Sequence, residues 1–232
     1  MVNEMQSERR KMTAAEAVKR FLCMLIGLIV TALGLAVCVR PDLGISPITT
    51  LPYALSYVVP SLSLGTFVSL QHLVFFILTV ALLRKDFKPF QILQLPCAFV
   101  FGSCVDLWGL LLGSLTPDTY IERILLLLLG CVIVAFGFSL IFTSRVALEA
   151  NTAFLNALAL RTGKPYGALK TISDVVIVVL AAAVALIFLH KIVGIREGTI
   201  LAALLVGPIA GFFNRRLTWM ERVFVSTPQP KH

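Results

Sequence analysis

Hydrophobic residues occupy most of the chain in long blocks, and short polar stretches separate these blocks. Crossing a bilayer takes about 20 apolar residues, so the blocks predict six spanning helices, near residues 20–39, 65–83, 90–113, 121–142, 168–189 and 197–213. Two shorter segments, 46–58 and 150–161, follow the first and the fourth of these helices. The pattern therefore predicts an all-α polytopic membrane protein with six spans and two re-entrant half-helices.

The two short segments share a polar start. Ser46 followed by Pro47 is typical of an N-cap and the first position of a helix, and the second segment begins beside Glu149. Interrupted helices in corresponding places of the two halves of a membrane protein point to the binding site of a transporter. We therefore look for candidate binding residues at these two starts.

The two halves of the sequence resemble each other. The motif Arg-x6-Gly-x6-Gly begins at Arg20 and again at Arg123, 103 residues later. Further glycine matches at offsets of 102 and 105 join Gly65 to Gly167 and Gly102 to Gly207. Each half has three crossings, an odd number, so consecutive halves must be inverted in the membrane. We predict a cytoplasmic segment over 1–19, membrane repeats over 20–115 and 116–217, and a cytoplasmic tail over 218–232.

The distribution of charge favours a membrane and argues against nucleic acid as a partner. The chain is 58% hydrophobic and 14% charged, and its net charge of +8 comes from Lys and Arg clusters between the apolar blocks. With both termini cytoplasmic and the short segments re-entrant, sixteen of the twenty basic residues lie inside, as the positive-inside rule prefers. An eight-crossing arrangement stays open, as does a homo-oligomer.

Four short motifs carry a family resemblance. They are Asp42-Leu-Gly-Ile-Ser-Pro47, Leu64-Gly-Thr66, Gly163-Lys-Pro-Tyr-Gly167, and Ile195-Arg-Glu-Gly-Thr199 followed by Gly207. Together they make most of residues 20–213 similar to the YitT/YczE group of bacterial integral membrane proteins. The resemblance implies a multi-pass protein of the bacterial plasma membrane, and it implies no substrate, because that group is described only as membrane proteins or transporters of unknown cargo.

Enzymatic signatures are not found in the sequence. It contains no Walker loop, no HExxH zinc motif and no nucleophile elbow. The five cysteines show no CxxC spacing and there are three histidines, so we expect neither a metal site nor a cofactor. We predict that the protein is not an enzyme.

Two ionisable residues stand within predicted spans at matching positions. His72 and Asp174 each lie about seven residues into a helix, 102 residues apart. Charged groups at such depth face protein or water and mark functional sites. We expect the two to meet near the midplane and to bind a proton or the polar part of a substrate. The alternative is a hydrogen-bonded core histidine and a helix-end pair of Asp174 with Lys170, four residues earlier.

Further candidates lie at the starts of the half-helices. We predict that they line a water-filled cavity and bind substrate: Thr49, Thr50, Asn151, Thr152 and Asn156. The positive dipole end of a short helix attracts anions. The same side chains also cap free N–H groups at helix starts, so capping is the alternative interpretation.

These observations predict a secondary transporter for a small polar or anionic solute, working in the lipid bilayer without nucleic acid. The alternative is a membrane subunit that does not itself transport, such as the substrate-capture partner of an ATPase or an assembly factor. The sequence determines neither the substrate nor the coupling ion.

Overall fold

The computed structural model describes residues 13–87, 89–146 and 149–224. In that part of the chain all regular structure is helical. The helices are α1 (Ala14–Val39), α2 (Pro47–Val58), α3 (Leu64–Leu83), α4 (Gln94–Leu111), α5 (Tyr120–Ser144), α6 (Ala150–Thr162), α7 (Tyr166–Leu189), α8 (Glu197–Arg216) and α9 (Trp219–Phe224). Two 3₁₀ turns, Arg84–Asp86 and Pro89–Leu93, join α3 to α4.

Six of the described helices are long and apolar enough to cross a membrane: α1, α3, α4, α5, α7 and α8. The remaining two helices of the bundle, α2 and α6, have 12 and 13 residues. At 1.5 Å per residue they reach about 18–20 Å, well short of a ~30 Å hydrocarbon core. The predicted fold class, an all-helical polytopic membrane protein, is confirmed.

Some helix ends differ from the predicted ones. Helix α1 begins at Ala14, within the segment we expected to precede the membrane, because Thr13 caps it by accepting a hydrogen bond from the Glu16 amide. Helix α9 occupies part of the predicted polar tail. The predicted tail beyond Phe224 lies outside the described residues.

Helices α1 and α5 form the central contact between the two halves. Gly27 of α1 lies against Gly137 of α5, and Gly34 lies against Gly130. In the sequence repeat Gly27 matches Gly130 and Gly34 matches Gly137, whereas in the structure Gly27 contacts Gly137 and Gly34 contacts Gly130. Such an exchange is what a two-fold axis between inverted repeats produces. Glycine at all four places lets the two backbones approach closely, as in other membrane helix pairs.

The two half-helices start near each other in the interior of the bundle. The starts of α2 and α6 share one apolar cluster with α3 and α7, made of Ile48, Leu51, Phe75, Ala150, Phe154 and Ile177. From there the helices diverge. Ala54 of α2 packs on Ala185 toward the end of α7, whereas Arg161 of α6 donates to the Leu82 carbonyl oxygen at the end of α3, 3.0 Å away. Both half-helices therefore run outward from the centre, to opposite faces.

The face of the bundle at which α1 begins is called here the N-terminal face, and the other the opposite face. Helix α5 ends at the N-terminal face, since Arg20 donates to the carbonyl oxygen of Ser144 at 3.3 Å. Helices α3 and α8 also end there, and α4 and α7 begin there. Helix α6 returns to that face, and α2 returns to the opposite face.

Helices α3 and α4 pack tightly toward the opposite face. Gly65 and Gly102 touch through their backbones, so that a Cβ on either would collide with the other helix. The Ser69 hydroxyl, buried between them, donates to the carbonyl oxygens of Gly65 at 2.9 Å and Ala98 at 3.1 Å. Asp106 completes the contact by accepting a hydrogen bond from the Gly65 amide at 2.7 Å.

The equivalent helices of the second half, α7 and α8, do not pack in this way. The residues that match the α3–α4 contact are Gly167, Thr171, Ala203 and Gly207, and all four are exposed. A Cβ added at Gly167 or Gly207 would meet no heavy atom of the described chain within 4 Å. Helix α7 packs instead on α2, and α8 packs on α5. The two halves thus have the same elements in different arrangements.

Candidate functional site

A small cavity lies where the two halves meet, enclosed by α1, α3, α4, α5 and the start of α6. Its volume is about 30 Å³, enough for a water molecule or two and too small for a metabolite. Its polar lining comes from Thr31, His72, Gln94 and Glu149, and the rest of its wall is mostly apolar. The cavity therefore brings a few polar groups together in a mostly apolar surrounding.

His72 is the centre of this polar group. Its imidazole Nδ1 lies 2.8 Å from the carbonyl oxygen of Val68, one turn earlier on α3. Its Nε2 lies 3.2 Å from Oε1 of Glu149. The side chains are 8% and 16% exposed, so both are largely removed from water. The ring also packs beside Phe101, with centroids 5.6 Å apart.

Glu149 reaches this position because it is the N-cap residue of α6. Its side chain does not cap the helix, and so it is free to extend toward α3. The four first N–H groups of a helix give its start a partial positive charge, which stabilises a carboxylate there. The half-helix thus places a carboxylate from the second half against a histidine of the first half.

Two buried amide oxygens near the cavity lack a hydrogen-bond partner within the described residues. They are Oε1 of Gln94, which lines the cavity, and Oδ1 of Asn151 at the start of α6. The two residues are only 5% and 3% exposed. Buried polar atoms are normally satisfied by protein or water, so an acceptor facing the cavity marks a place where water or a proton donor fits.

The expected meeting of His72 with Asp174 is not observed, and this prediction needs correction. His72 bonds to Glu149, whereas both carboxylate oxygens of Asp174 accept from the Lys170 ammonium, one turn earlier on α7. Asp174 does not line the cavity around His72. Matching positions in the sequence did not produce a shared site, because the second half is packed differently from the first.

The threonines of the first half-helix are not at the cavity. Thr49 and Thr50 are buried, and their hydroxyls donate to the backbone oxygens of Ser46 at 2.8 Å and Pro47 at 2.7 Å. Ser46 is the N-cap residue of α2, as predicted, but its side chain makes no capping bond. Short local bonds satisfy these hydroxyls, so the structure supports a structural role for them.

The second half-helix lies closer to the candidate site. Thr152 is half-buried beside the Tyr166 hydroxyl. The carboxylates of Glu149 and Asp174 act electrostatically on the same hydroxyl. Asn156 is half-buried one turn further along α6. Glu149 and Asp174 are therefore both close enough to act electrostatically on Tyr166.

A second, larger cavity of about 300 Å³ lies at the opposite face between α1, α3 and α4. Arg40 and Asp106 contribute its charges. Asp106 is engaged at the start of α3, where it also accepts from the Ser63 hydroxyl at 2.5 Å. The Arg40 guanidinium donates to the carbonyl oxygen of Gly109.

Sequence reasoning named Glu149 only as part of the second half-helix, and it missed Gln94. The signal for Glu149 was its place directly before a short helix. Gln94 is one of two glutamines at the start of an apolar block, and this pattern does not predict a binding role. Glu149 and Gln94 line one cavity with His72 because of the way in which α3, α4 and α6 are rotated against one another.

Comparisons with known proteins identify the family and no function. Neither the curated proteins nor the solved structures contain a significant match. A family model covers residues 18–215, which include all six candidate spans except the first residues of α1 and the last of α8. The chain belongs to the family described as a family of unknown function, DUF6198.

Proposed function

We propose that the protein is a secondary transporter of a small polar or anionic solute across the bacterial plasma membrane. The observation that carries the proposal is the difference between the two halves: α3 and α4 are closed on each other while the equivalent α7 and α8 are apart. In inverted-repeat transporters the two repeats move against each other around a central site. Exchange of the two arrangements would open one face and close the other.

The orientation follows from the basic residues. The N-terminal face is cytoplasmic in this proposal, since that assignment leaves only Arg40, Arg123, Lys191 and Arg196 outside. The closed α3–α4 contact then lies toward the outside and the α7–α8 gap toward the cytoplasm. In this proposal the described conformation corresponds to an inward-facing state, and its counterpart to an outward-facing state.

The preference for an anionic solute rests on the half-helices. Helices α2 and α6 direct their starts toward the same interior cluster, and each start carries the equivalent of about half a positive charge. Irregular backbone at membrane depth is tolerated where it is buried in protein or lines water. Arg40, beside the larger cavity at the opposite face, adds a cation on the route from outside.

Two matched cysteine pairs test the exchange of arrangements. In a background without the five native cysteines, Ser69→Cys with Ala98→Cys joins residues that touch here. Thr171→Cys with Ala203→Cys joins their repeat equivalents, which are exposed and apart. We expect both pairs to form disulfides in native membranes under mild oxidation, because the protein visits both states. Cross-linking of the first pair alone, with the second never forming, would refute the alternation and favour a subunit that does not transport.

The class of solute is tested by thermal shift of the purified protein against a panel of anionic and neutral metabolites. A ligand that binds the folded state raises the melting temperature by mass action. We expect anionic members of the panel to raise it and matched neutral esters or amides to fail. Stabilisation by neutral compounds alone would contradict the anion preference.

A further inference from the structure

The His72–Glu149 contact constrains where protons lie. A carbonyl oxygen only accepts hydrogen bonds, so the imidazole Nδ1 facing the Val68 oxygen at 2.8 Å carries a hydrogen. The other ring nitrogen, Nε2, faces a carboxylate oxygen at 3.2 Å. A bare nitrogen lone pair and an ionised carboxylate would repel each other at that distance. The observed contact therefore contains one further proton, shared between Nε2 and Oε1.

Among the described residues that line the cavity, none besides His72 and Glu149 carries a formal charge. The cavity wall is formed by Met24, Leu28 and Thr31 of α1, by Gln94, Cys97, Ala98 and Phe101 of α4, by Phe138 and Ile141 of α5, and by Ala150 of α6. Among these described residues Cys97 is the one titratable group. On the side of α7, the carboxylates of Glu149 and Asp174 both act electrostatically on the Tyr166 hydroxyl. The charge of Asp174 is itself compensated by an ion pair with Lys170.

The size and the ligands of the cavity select a proton over larger ligands. At about 30 Å³ the cavity has room for water but not for an organic solute. In the described part of the chain no group of three or more His, Cys, Asp or Glu side chains is arranged so that it could hold a metal ion. Gln94 lines the same space, and its Oε1 has no hydrogen-bond partner in the described part of the chain, so a rotation of this amide would let it accept a hydrogen bond from a water molecule that carries the proton in or out.

We propose that His72 and Glu149 bind one exchangeable proton between the two halves, and that this proton is the coupling ion of the cycle. The role of this proton as coupling ion rests on the transport function proposed above, whereas the binding of a proton by His72 and Glu149 does not. When the proton is bound, the pair is neutral overall. When the proton passes to water, the pair carries one negative charge and its two facing atoms repel, which separates the start of α6 from α3.

Histidine resonances test the site directly, because the chain has three histidines. In a His190→Gln and His232→Gln background, His72 is the sole source of ¹⁵N-histidine signals from the full-length protein in lipid nanodiscs. We expect one titration in which Nδ1 stays protonated throughout and Nε2 alone loses its hydrogen at high pH. An Nε2–H tautomer in the deprotonated form would overturn the assignment.

Glu149→Gln is the matched variant, since its amide can donate to Nε2 without an added proton. In this variant we expect His72 to become half-protonated only at a proton concentration about tenfold or more above that needed in the parent, because the carboxylate that favours the protonated form is gone. An unchanged titration would overturn the proposal. Glu122→Gln, an exposed residue at the start of α5 that does not line the cavity, is the control and leaves the titration in place. Equal melting temperatures for the variants and the parent confirm that folding is intact.

Sodium and coupling are tested in the same samples. Replacing choline chloride by sodium chloride at constant ionic strength leaves the titration unchanged if the site takes a proton, and a sodium-specific shift would overturn it. The Thr171→Cys/Ala203→Cys cross-linking rate then reports coupling. Because thiol oxidation itself becomes faster as pH rises, this rate is taken relative to that of the Ser69→Cys/Ala98→Cys pair at the same pH. We expect the ratio to depend on pH with His72 present and to lose that dependence in His72→Gln. A correct titration with no cross-linking would retain the proton site and reject the transporter.

Discussion

The α3–α4 and α7–α8 helix pairs are built from matching residues and yet are packed in opposite ways. Gly65 and Gly102 touch, and Ser69 bridges to α4. The equivalent Thr171 donates to Gly167 within its own helix, at 3.1 Å, just as Ser69 donates to Gly65. It makes no bridge to α8 in the described structure. The local geometry of each helix is therefore repeated, while the contact between helices is formed in one half alone.

One residue accounts for part of this difference. Asp106 holds the start of α3 through the Gly65 amide and the Ser63 hydroxyl, but the approximate equivalent of Asp106 in α8 is Gly211, which has no side chain. Helix α7 has Pro165 at its N-cap position with no side-chain capping bond. A closed α7–α8 contact would lack this capping carboxylate, which favours the closed state of α3–α4 over that of α7–α8.

The largest effect is expected from filling the closed contact. Gly102→Ala would place a methyl group against the Gly65 backbone and the Ser69 hydroxyl, so it should destabilise the fold by about 1–3 kcal/mol and lower the melting temperature. Gly207→Ala is the matched variant. Its methyl group meets open space here, so the melting temperature should change much less than in Gly102→Ala. Pro208, the next residue in α8, offsets the helix propensity that Ala would add.

The melting temperatures of the two variants, measured in the same detergent, decide this comparison. Equal losses for Gly102→Ala and Gly207→Ala would show that α7 and α8 are closed in solution. If the protein alternates, Gly207→Ala should also slow formation of the Thr171→Cys/Ala203→Cys cross-link, because the outward-open state needs that space.

A smaller effect is expected from removing the carboxylate that links α4 to α3. Asp106→Ala leaves the Gly65 amide without its acceptor and should cost about 1–2 kcal/mol, as the loss of a helix cap does. It should also raise the labelling of Ser69→Cys by an impermeant thiol reagent, since the contact opens toward the opposite face. Asp106→Asn keeps one acceptor oxygen and serves as the control. Unchanged labelling in Asp106→Ala would show that Asp106 does not hold the contact.

The smallest effect concerns the Lys170–Asp174 pair on α7. The Lys170 side chain is 36% exposed and that of Asp174 is 19% exposed, so the pair should contribute under about 1 kcal/mol. Lys170→Ala and Asp174→Asn should therefore behave alike and change the melting temperature little. A selective loss of ligand-induced stabilisation in Asp174→Asn, with Lys170→Ala normal, would instead restore Asp174 as a binding residue.

The sequence by itself determined the membrane architecture. The bilayer imposes a minimum length on each apolar helix, so the six spans and the two short helices could be predicted from hydrophobic blocks and polar interruptions. The repeated glycines also carried information, because close backbone approach admits no side chain. Gly27, Gly34, Gly130 and Gly137, matched in the sequence, are the residues at the α1–α5 contact. The Lys170–Asp174 pair was available from its four-residue spacing alone.

Only the tertiary structure decided which groups form the candidate site. The partner of His72 is Glu149, 77 residues away, and not the residue at its matching position. A hydrogen bond between helices depends on their tilt and rotation, which hydrophobic periodicity does not specify. The closed and open helix pairs make the same point, because Gly65 and Gly167 are equivalent in the sequence and differ entirely in what surrounds them. The contact in the first half also uses the carboxylate of Asp106, and the second half has no carboxylate at the matching position.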